Sequence, residues 1–367
     1  MLERPWYRSF NWLLALLTIA VSAAGIVLIH SADLRDPTAA MEWKRQIAYG
    51  AVGIVVMGLF AAIDYHRWQR WATRLYVVNF VLLTIVMRGG HSALGAQRWI
   101  SLGPLGTFQP SEPAKLILAI VVAAMLSRSA AVGAREMVLA IAAVAVPALL
   151  VLKQPDIGTA LVIFAILTVQ LFFGVSRTWL FGAYAAAAVA VGAFVVGTKY
   201  VLKPFQRNRL LVFLHPNDDP QGIGWNLRQS KIAVGSGELF GKGLYHGTQT
   251  QLNFVPEHSR DFIFTVVGEE LGYIGSISLV LAYACLLAAG SRAIVVARDR
   301  FGFLLAAGLV AMLGFHIVVN IGMTIGIMPI TGIPLPFLSY GGSAILTDFA
   351  AVGILLNIDL QRDKFEF

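Results

Sequence analysis

The sequence predicts an all-α polytopic integral membrane protein. Of the 367 residues, 57% are hydrophobic and only 13% are charged, about half the charged fraction of a soluble domain. Apolar runs of about 20 residues, enough to cross a bilayer core of roughly 30 Å, recur along the whole chain. These runs are continuous and do not alternate between polar and apolar residues, which excludes a β-barrel.

We predict about ten transmembrane helices in a single membrane domain over residues 1–367. Their predicted limits are 11–31, 46–63, 72–88, 113–127, 137–152, 157–175, 179–198, 262–290, 302–327 and 343–358. The first run resembles a signal peptide, but it is longer than the usual stretch of about 7–15 apolar residues. Because more spans follow, an uncleaved helix is expected.

The distribution of Lys and Arg predicts the orientation of the chain. With an even number of spans both termini lie on one side, and that side collects thirteen Lys and Arg residues. The short loops on the other side hold seven, and the remaining eight lie in one long loop. We therefore expect cytoplasmic termini and an extracytoplasmic long loop.

That long loop, residues 199–261, is far longer than an ordinary connection, and loops of this length are usually functional or disordered. Apolar anchors within it oppose disorder, so short surface helices are expected at 204–214 and 226–235. Five glycines from Gly235 to Gly247 lack the spacing of a phosphate-binding loop. They predict instead a turn that brings main chain close to another group.

The same loop carries eight basic and five acidic residues. One interpretation is a solvated loop that leans on anionic lipid. The other is a clamp for a phosphorylated ligand held at the membrane surface. Nucleic acid is not an expected partner on this face.

Two shorter polar segments are predicted on the side of the long loop. In GAQRWISLGPLGTFQPSEPAK (95–115), Glu112 and Lys115 stand three residues apart at a helix start, so they share a face and can pair. The pair either anchors the helix end or lines a water-filled cavity. In KQPDIGTA (153–160), Asp156 is expected to cap the next helix.

A third segment, PITGIPLPFLSYGGSA (329–344), is uncharged and too irregular for a lipid-facing helix. Such main chain survives at membrane depth only when it is buried or lines a cavity. The stretch FVPEHSRDFIFTVVGEELG (254–272) begins in the long loop and places Asp261 where that loop enters an apolar run, with Glu269 and Glu270 deeper in that run. Together with the long loop 199–261, these make four polar or irregular segments on one side, and they predict a site.

The residue types at this site limit its chemistry. The seven histidines show no ligand spacing, so no metal site is predicted from them. No Ser–His–Asp arrangement is visible either. Carboxylates and cations remain, and they fit acid–base chemistry or phosphate handling.

The four segments, with the glycine-rich stretch QSKIAVGSGELFGKGLYHG and the preceding NIGMTIGIM, resemble the SEDS family (shape, elongation, division and sporulation) of peptidoglycan glycosyltransferases. The resemblance covers nearly the whole chain, as long blocks in the right order. The sequence TGIPLPFLSYGG is closer to that of the elongation-type, rod-shape-determining members than to that of the division-type members. Two positions depart from the family pattern: Ala344 follows Ser343, and Asp348 stands where an amide is common.

The resemblance implies polymerisation of lipid II, an undecaprenyl-diphosphate-linked disaccharide pentapeptide, on the outer face of the bacterial cytoplasmic (inner) membrane during cell elongation. The family's essential aspartate falls on Asp261, which would act as general base in a single inverting displacement. Glu112 and Lys115 would support the site. Glu269, eight residues after Asp261 and about 80° round a helix, is expected to line the same cavity.

Further cavity residues are expected at Arg98, Ser339 and Tyr340. Cations for the departing diphosphate are expected from Arg207, Arg209, Lys231, Lys242 and Arg260, or from a bound divalent metal. The implied partners are a class B penicillin-binding protein that crosslinks the strands, other elongation-complex membrane proteins, and membrane lipids. Two rival functions stay open: a flippase for the same lipid, and a non-catalytic scaffold of the cell-wall synthesis complex.

Overall fold

The chain folds as a bundle of long helices. A computed structural model describes residues 10–34, 41–89, 91–93, 96–101, 103, 106–129, 132–180, 182, 213 and 222–363. Within these ranges, eight helices are long and apolar enough to cross a membrane. The predicted multi-pass helical membrane fold is therefore confirmed.

Among the described residues, the first half of the bundle contains six helices. They are α1 (Trp12–Ala32), α2 (Glu42–Ala62), α3 (Tyr65–Gly89), α4 (Ser111–Leu126), α5 (Ala134–Lys153) and α6 (Ile157–Gly174). Side-chain caps define several of the starts. Asn11 Oδ1 accepts from Leu14 N at 3.2 Å, and Asp156 Oδ1 accepts from Thr159 N at 3.1 Å, so the predicted Asp156 cap is confirmed.

In the part of the second half that the structure describes there are five α-helices and a short 3₁₀ turn. They are α7 (Ile223–Ser236), α8 (Thr248–Gln251), α9 (Ile263–Val296), α10 (Arg300–Thr324), α11 (Gly342–Leu360) and the 3₁₀ turn Gln361–Asp363. Helix α7 contains the predicted helix 226–235. Its Ser230 Oγ donates to Thr324 O at 2.6 Å, so this helix docks on the end of α10.

Nine of the ten predicted spans fall on helices of the structure. The helix of the third span, α3, begins earlier, at Tyr65, and the helix of the eighth span, α9, ends later, at Val296. The seventh predicted span, 179–198, and the predicted helix 204–214 lie outside the described residues. The total of ten spans therefore stays a prediction.

A small antiparallel sheet accompanies the helices. Strands β1 (His91–Ala93), β2 (Ala96–Ser101) and β3 (Thr107–Phe108) lie between α3 and α4 in the order β1-β2-β3. This polar segment has no apolar run to bury as a helix. Its paired strands satisfy the main chain at the end of the bundle instead.

The centre of the bundle is formed by α4, α10 and α11. The most apolar windows of α10 and α11 are 67% and 78% buried, against 22% for α3, so these two helices lie inside and α3 lies at the periphery. Helix α11 packs closely along α2, because Gly53 leaves room for the Phe349 ring. A β-carbon on Gly53 would lie 2.2 Å from that ring.

Helix α9 is broken at Gly272, where φ is 66° and ψ is −162°. The glycine-rich turn that precedes α8 fills the break. Glu269 O and Glu270 O accept from Lys242 N and Gly243 N, both at 3.0 Å. The predicted close main-chain approach of this turn is confirmed.

The same turn supplies acceptors for the other side of the break. Tyr273 N donates to Glu238 O at 2.8 Å, and Ile274 N donates to Leu239 O at 3.1 Å. Hydrogen-bonding groups that α9 loses at Gly272 are thus paired with the turn and are not left bare in an apolar interior.

Candidate functional site

A polar cavity of about 470 Å³ opens where all four of the predicted polar segments meet. Its walls come from the sheet, the starts of α2, α4, α6 and α11, the turn before α9, and the irregular segment before α11. The ionisable residues that line it are Glu42, Arg45, Arg98, Glu112, Lys115, Asp156, Glu257, Arg260, Asp261 and His316. The predicted convergence of these segments is confirmed.

Asp261 lies in the turn that leads into α9, and it is half-buried at the cavity wall. The segment before α11 holds this turn through its main chain. Tyr340 N donates to Ser259 O at 2.9 Å, and Ser339 Oγ donates to Arg260 O at 2.6 Å. Ser339 therefore supports the turn, whereas Tyr340 also faces the cavity.

Arg260 extends from the same turn into the cavity and is held by two carboxylates. Its guanidinium lies 2.8 Å from Glu42 Oε1 and 3.2 Å from Glu257 Oε2. Burial opposes the charge on Arg260, but the two carboxylates outweigh it and raise the pKa of the guanidinium above its ordinary value. Arg260 is therefore a permanent cation beside Asp261.

Arg45 is a second cavity cation, and sequence analysis missed it as a site residue. It lies in the first turn of α2, and its guanidinium is hydrogen-bonded to the Tyr340 hydroxyl. Arg260 stacks on the same ring, with its central carbon 5.5 Å from the centroid. Burial raises the pKa of the Tyr340 phenol despite the nearby guanidinium, so Tyr340 is neutral between two cations.

Glu112 and Lys115 pair as predicted, with Nζ 2.8 Å from Oε2. The structure adds His316 of α10, whose Nε2 lies 2.9 Å from Lys115 Nζ. The Lys115 side chain is 1% exposed and Glu112 is 6% exposed, so this is a buried charged cluster in the cavity wall. His316 lies within a long apolar run, at no recognisable ligand spacing, and so gave no sequence signal.

Asp156 has a second role besides capping α6. Its Oδ2 accepts from Gln109 Nε2 at 3.0 Å and from Ser111 Oγ at 3.2 Å, which ties α6 to the start of α4. Arg98 Nη1 lies 3.8 Å from Asp156 Oδ1. Arg98 therefore lines the cavity as predicted, with Asp156 as its counter-ion.

The structure corrects the expectation that Glu269 shares the cavity with Asp261. Glu269 is 0% exposed and lies under the segment that contains α8. Its Oε1 is 2.8 Å from Lys242 Nζ and from Gln249 N. The helix begins at Ile263, so Asp261 is not on it, and an angle counted round a helix from Asp261 does not apply.

Unlike Arg260, two other predicted cations of the long loop do not line the cavity. Lys242 is the partner of Glu269 and does not line the cavity. Lys231 lies against Gly326, where an added β-carbon would meet its Cε at 1.9 Å, and it too is absent from the cavity wall. Arg207 and Arg209 lie outside the described residues.

Comparisons of the sequence with known proteins all indicate the same family. The model of the cell cycle protein family FtsW/RodA/SpoVE matches residues 11–364. The peptidoglycan glycosyltransferase MrdB of Escherichia coli K12 is 39% identical over 353 residues, 95% of this chain and 93% of the relative. The peptidoglycan glycosyltransferase RodA of Treponema pallidum is 32% identical over 435 residues, 96% and 98% of the two chains.

Solved structures agree with this comparison. A chain from a peptidoglycan synthase complex, described as coordinating polymerization and crosslinking, matches with a TM-score of 0.82 and 31% identity over 96% of this chain and 98% of that chain. The rod shape determining protein RodA of Thermus thermophilus matches with a TM-score of 0.71 and 29% identity over 98% and 99%. The chain therefore belongs to the FtsW/RodA/SpoVE family of cell cycle proteins, as its resemblance to the SEDS family indicates.

Proposed function

We propose that this protein is a peptidoglycan glycosyltransferase that polymerises lipid II into glycan strands during cell elongation and rod-shape maintenance. The observation that carries the proposal is the placement of Asp261, on an anchored turn at the wall of a cavity lined by both cations and carboxylates. The cavity volume of about 470 Å³ falls in the range of about 300–1,000 Å³ typical of ligand sites. Relatives at 32–39% identity carry the same activity in their names.

Asp261 is the general base in this proposal. The 4-hydroxyl oxygen of the acceptor sugar attacks the anomeric carbon of the donor, and the bond from that carbon to the diphosphate oxygen breaks. The hydroxyl proton passes to the Asp261 carboxylate as the new glycosidic bond forms. The diphosphate leaves with the bonding electron pair. An α-linked donor then gives a β-linked product by a single inverting displacement.

Arg45, Arg98 and Arg260 are the cavity groups placed to stabilise charge on the leaving diphosphate. All three point into the cavity from different elements. Of the residues predicted to bind the diphosphate, Arg260 is retained, and Arg45 and Arg98 take the place of Lys231 and Lys242. Planar guanidinium groups suit phosphate oxygens because they donate two parallel hydrogen bonds.

Charge balance in the cavity shapes how the substrate binds. The described lining has four cations, namely Arg45, Arg98, Lys115 and Arg260, against five carboxylates. A diphosphate adds further negative charge, so Arg260 must share its hydrogen bonds between Glu42 and the substrate.

A divalent metal is part of the proposal only as a companion of the diphosphate. Among the described residues, no three His, Cys, Asp or Glu side chains converge to hold a metal ion, so the protein ligands do not fit a resident site. Mg²⁺ commonly binds through one or two carboxylates and the phosphates of a substrate. No step of the mechanism depends on it.

We further propose that the cavity faces the extracytoplasmic side of the bacterial cytoplasmic membrane and that both termini are cytoplasmic. The excess of Lys and Arg at the opposite end of the bundle supports this orientation. A class B penicillin-binding protein is the proposed partner, supported by the match to a chain of a peptidoglycan synthase complex. Other elongation-complex proteins and membrane lipids complete the proposed surroundings.

The deciding experiment is polymerisation of defined lipid II by the purified protein in detergent, without an energy source. Labelled glycan strands separated on a gel are the expected result. A flippase would move lipid II between leaflets but make no strands, and a scaffold would do neither. Failure to make strands, both alone and with the purified penicillin-binding partner, would contradict the proposal.

A further inference from the structure

Asn320 of α10 contacts the main chain of Asp261. Its Nδ2 lies 2.8 Å from Asp261 O and 2.7 Å from Ile333 O. An amide NH₂ has two hydrogens, and here each is directed at one of these carbonyls. Asn320 therefore bridges the turn before α9 and the irregular segment before α11.

The amide of Asn320 is oriented by these two bonds. Asn320 is 0% exposed, and its Oδ1 has no hydrogen-bond partner among the described residues. Reversing the amide would place Oδ1 against two carbonyl oxygens and leave the NH₂ unpaired. The observed arrangement uses both donors at the expense of one acceptor.

The carbonyl of Asp261 accepts from Asn320 at a position where a continuous helix would supply the donor. In a continuous helix it would accept from Thr265 N, but Thr265 N donates to Phe262 O at 2.9 Å. Asp261 thus lies just outside the helical hydrogen-bond pattern of α9, and Asn320 supplies a donor that the helix does not.

We propose that Asn320 is a positioning residue for the base: it fixes the main chain of Asp261 so that the carboxylate meets the attacking hydroxyl. This inference rests on the proposed function. With the carbonyl fixed, only the short side chain of Asp261 remains to be oriented. A misplacement of about 1 Å at a reacting group can cost about 100-fold in rate.

Gln170 of α6 offers a matched control. It is also 0% exposed, and its Nε2 also bridges two main-chain carbonyls, Ala119 O at 2.8 Å and Leu304 O at 3.1 Å. It does not line the cavity. Gln170→Glu therefore removes the same kind of buried bridge away from Asp261.

The experiment compares Asn320→Asp, Asn320→Ser and Gln170→Glu in the purified full chain, with lipid II as substrate and thermal unfolding measured in parallel. Asn320→Asp lacks both NH₂ hydrogens, and Asn320→Ser leaves one shorter donor. We expect kcat to fall about 10- to 100-fold in both Asn320 variants, with KM changed less than threefold. Gln170→Glu should keep the kcat of the parent per folded molecule.

Parent-like kcat in a folded Asn320 variant overturns the inference. So does an equal loss in Gln170→Glu, or a loss confined to KM, because either outcome indicates general stability or substrate binding. If Asn320→Asp does not fold, Asn320→Ser carries the same expectations. An active parent with unaffected Asn320 variants refutes the role of Asn320 alone, whereas an inactive parent refutes the proposed function and this inference with it.

Discussion

Lys115 donates a hydrogen bond to His316, with 2.9 Å between Nζ and Nε2. The other ring nitrogen of His316 lies 2.8 Å from Met312 O, a carbonyl that can only accept. Nδ1 therefore carries the proton and Nε2 accepts from the ammonium, so His316 is neutral. The Lys115 ammonium therefore contacts both the Glu112 carboxylate and this imidazole inside the cavity wall.

Removing one member of the Glu112–Lys115 pair should lower both activity and stability. A buried charge left without its partner costs about 3–5 kcal/mol. Glu112→Ala and Lys115→Ala should each melt at a lower temperature than the parent, and the double variant should recover part of the loss. Thermal unfolding of the three proteins tests this, and parent-like stability in both single variants would rule out the pair.

Glu257→Gln provides the control for that measurement. Glu257 lines the same cavity and pairs with Arg260, but its side chain is 36% exposed. Exposed ion pairs contribute about 0–1 kcal/mol to stability. Its melting temperature should stay close to that of the parent.

Asp261→Asn should fold, insert and bind lipid II like the parent, yet make almost no glycan strand. Asn keeps the size of Asp but cannot take a proton at neutral pH, and loss of a general base usually costs about 10²–10⁴-fold in rate. Turnover on defined lipid II, with folding checked in parallel, is the measurement. Glu257→Gln removes a neighbouring carboxylate from the same cavity and should lose much less.

Parent-like turnover by Asp261→Asn would remove Asp261 as the base. An equal loss in Glu257→Gln would show instead that the cavity needs negative charge in general and not a positioned base.

Glu269→Gln should loosen the segment that contains α8 without disabling the base. The Glu269 carboxylate accepts from Lys242, Thr248, Gln249 and Thr250. The NH₂ group of a Gln amide would face some of these donors and could not accept from them. Hydrogen exchange of residues 242–251 should speed up, and Lys242→Met should have the same effect on exchange. Unchanged exchange in both variants would mean that the Glu269 carboxylate does not hold this segment in place.

Gly272→Ala should destabilise the protein. The residue has φ of 66°, which β-carbons disfavour, and its β-carbon would lie 2.3 Å from Gly241 N. Gly58→Ala is the control, because a β-carbon on Gly58 of α2 meets nothing within 4 Å. Alanine is also the better helix former there. Equal melting temperatures for the two variants would mean that the break at Gly272 is not required.

The helices and the convergence of polar segments could be predicted because both depend on local sequence. Apolar runs define membrane helices, and Glu112 and Lys115 sit at a spacing that pairs them on any helix. The role of Glu269 could not be predicted in this way. It depends on where α9 starts and on a lysine 27 residues earlier in the chain, which a helical angle does not encode.

Arg45, His316 and Asn320 were missed for a related reason. His316 and Asn320 lie four residues apart in one apolar run, Arg45 lies in a polar helix start, and each has a partner that is distant in sequence. Asn320, for example, meets Asp261 across 59 residues. In the sequence Arg45 is one of many loop charges, whereas in the structure it lies in the first turn of α2 and lines the cavity.

The break at Gly272 has a consequence for biogenesis. The turn that fills it is synthesised before α9, yet it can dock only after α9 exists. Until then, a broken α9 would expose unpaired main-chain groups to an apolar environment, which costs several kcal/mol for each group. We therefore expect α9 to leave the ribosome and enter the bilayer as one unbroken helix, and to kink only when the turn reaches it.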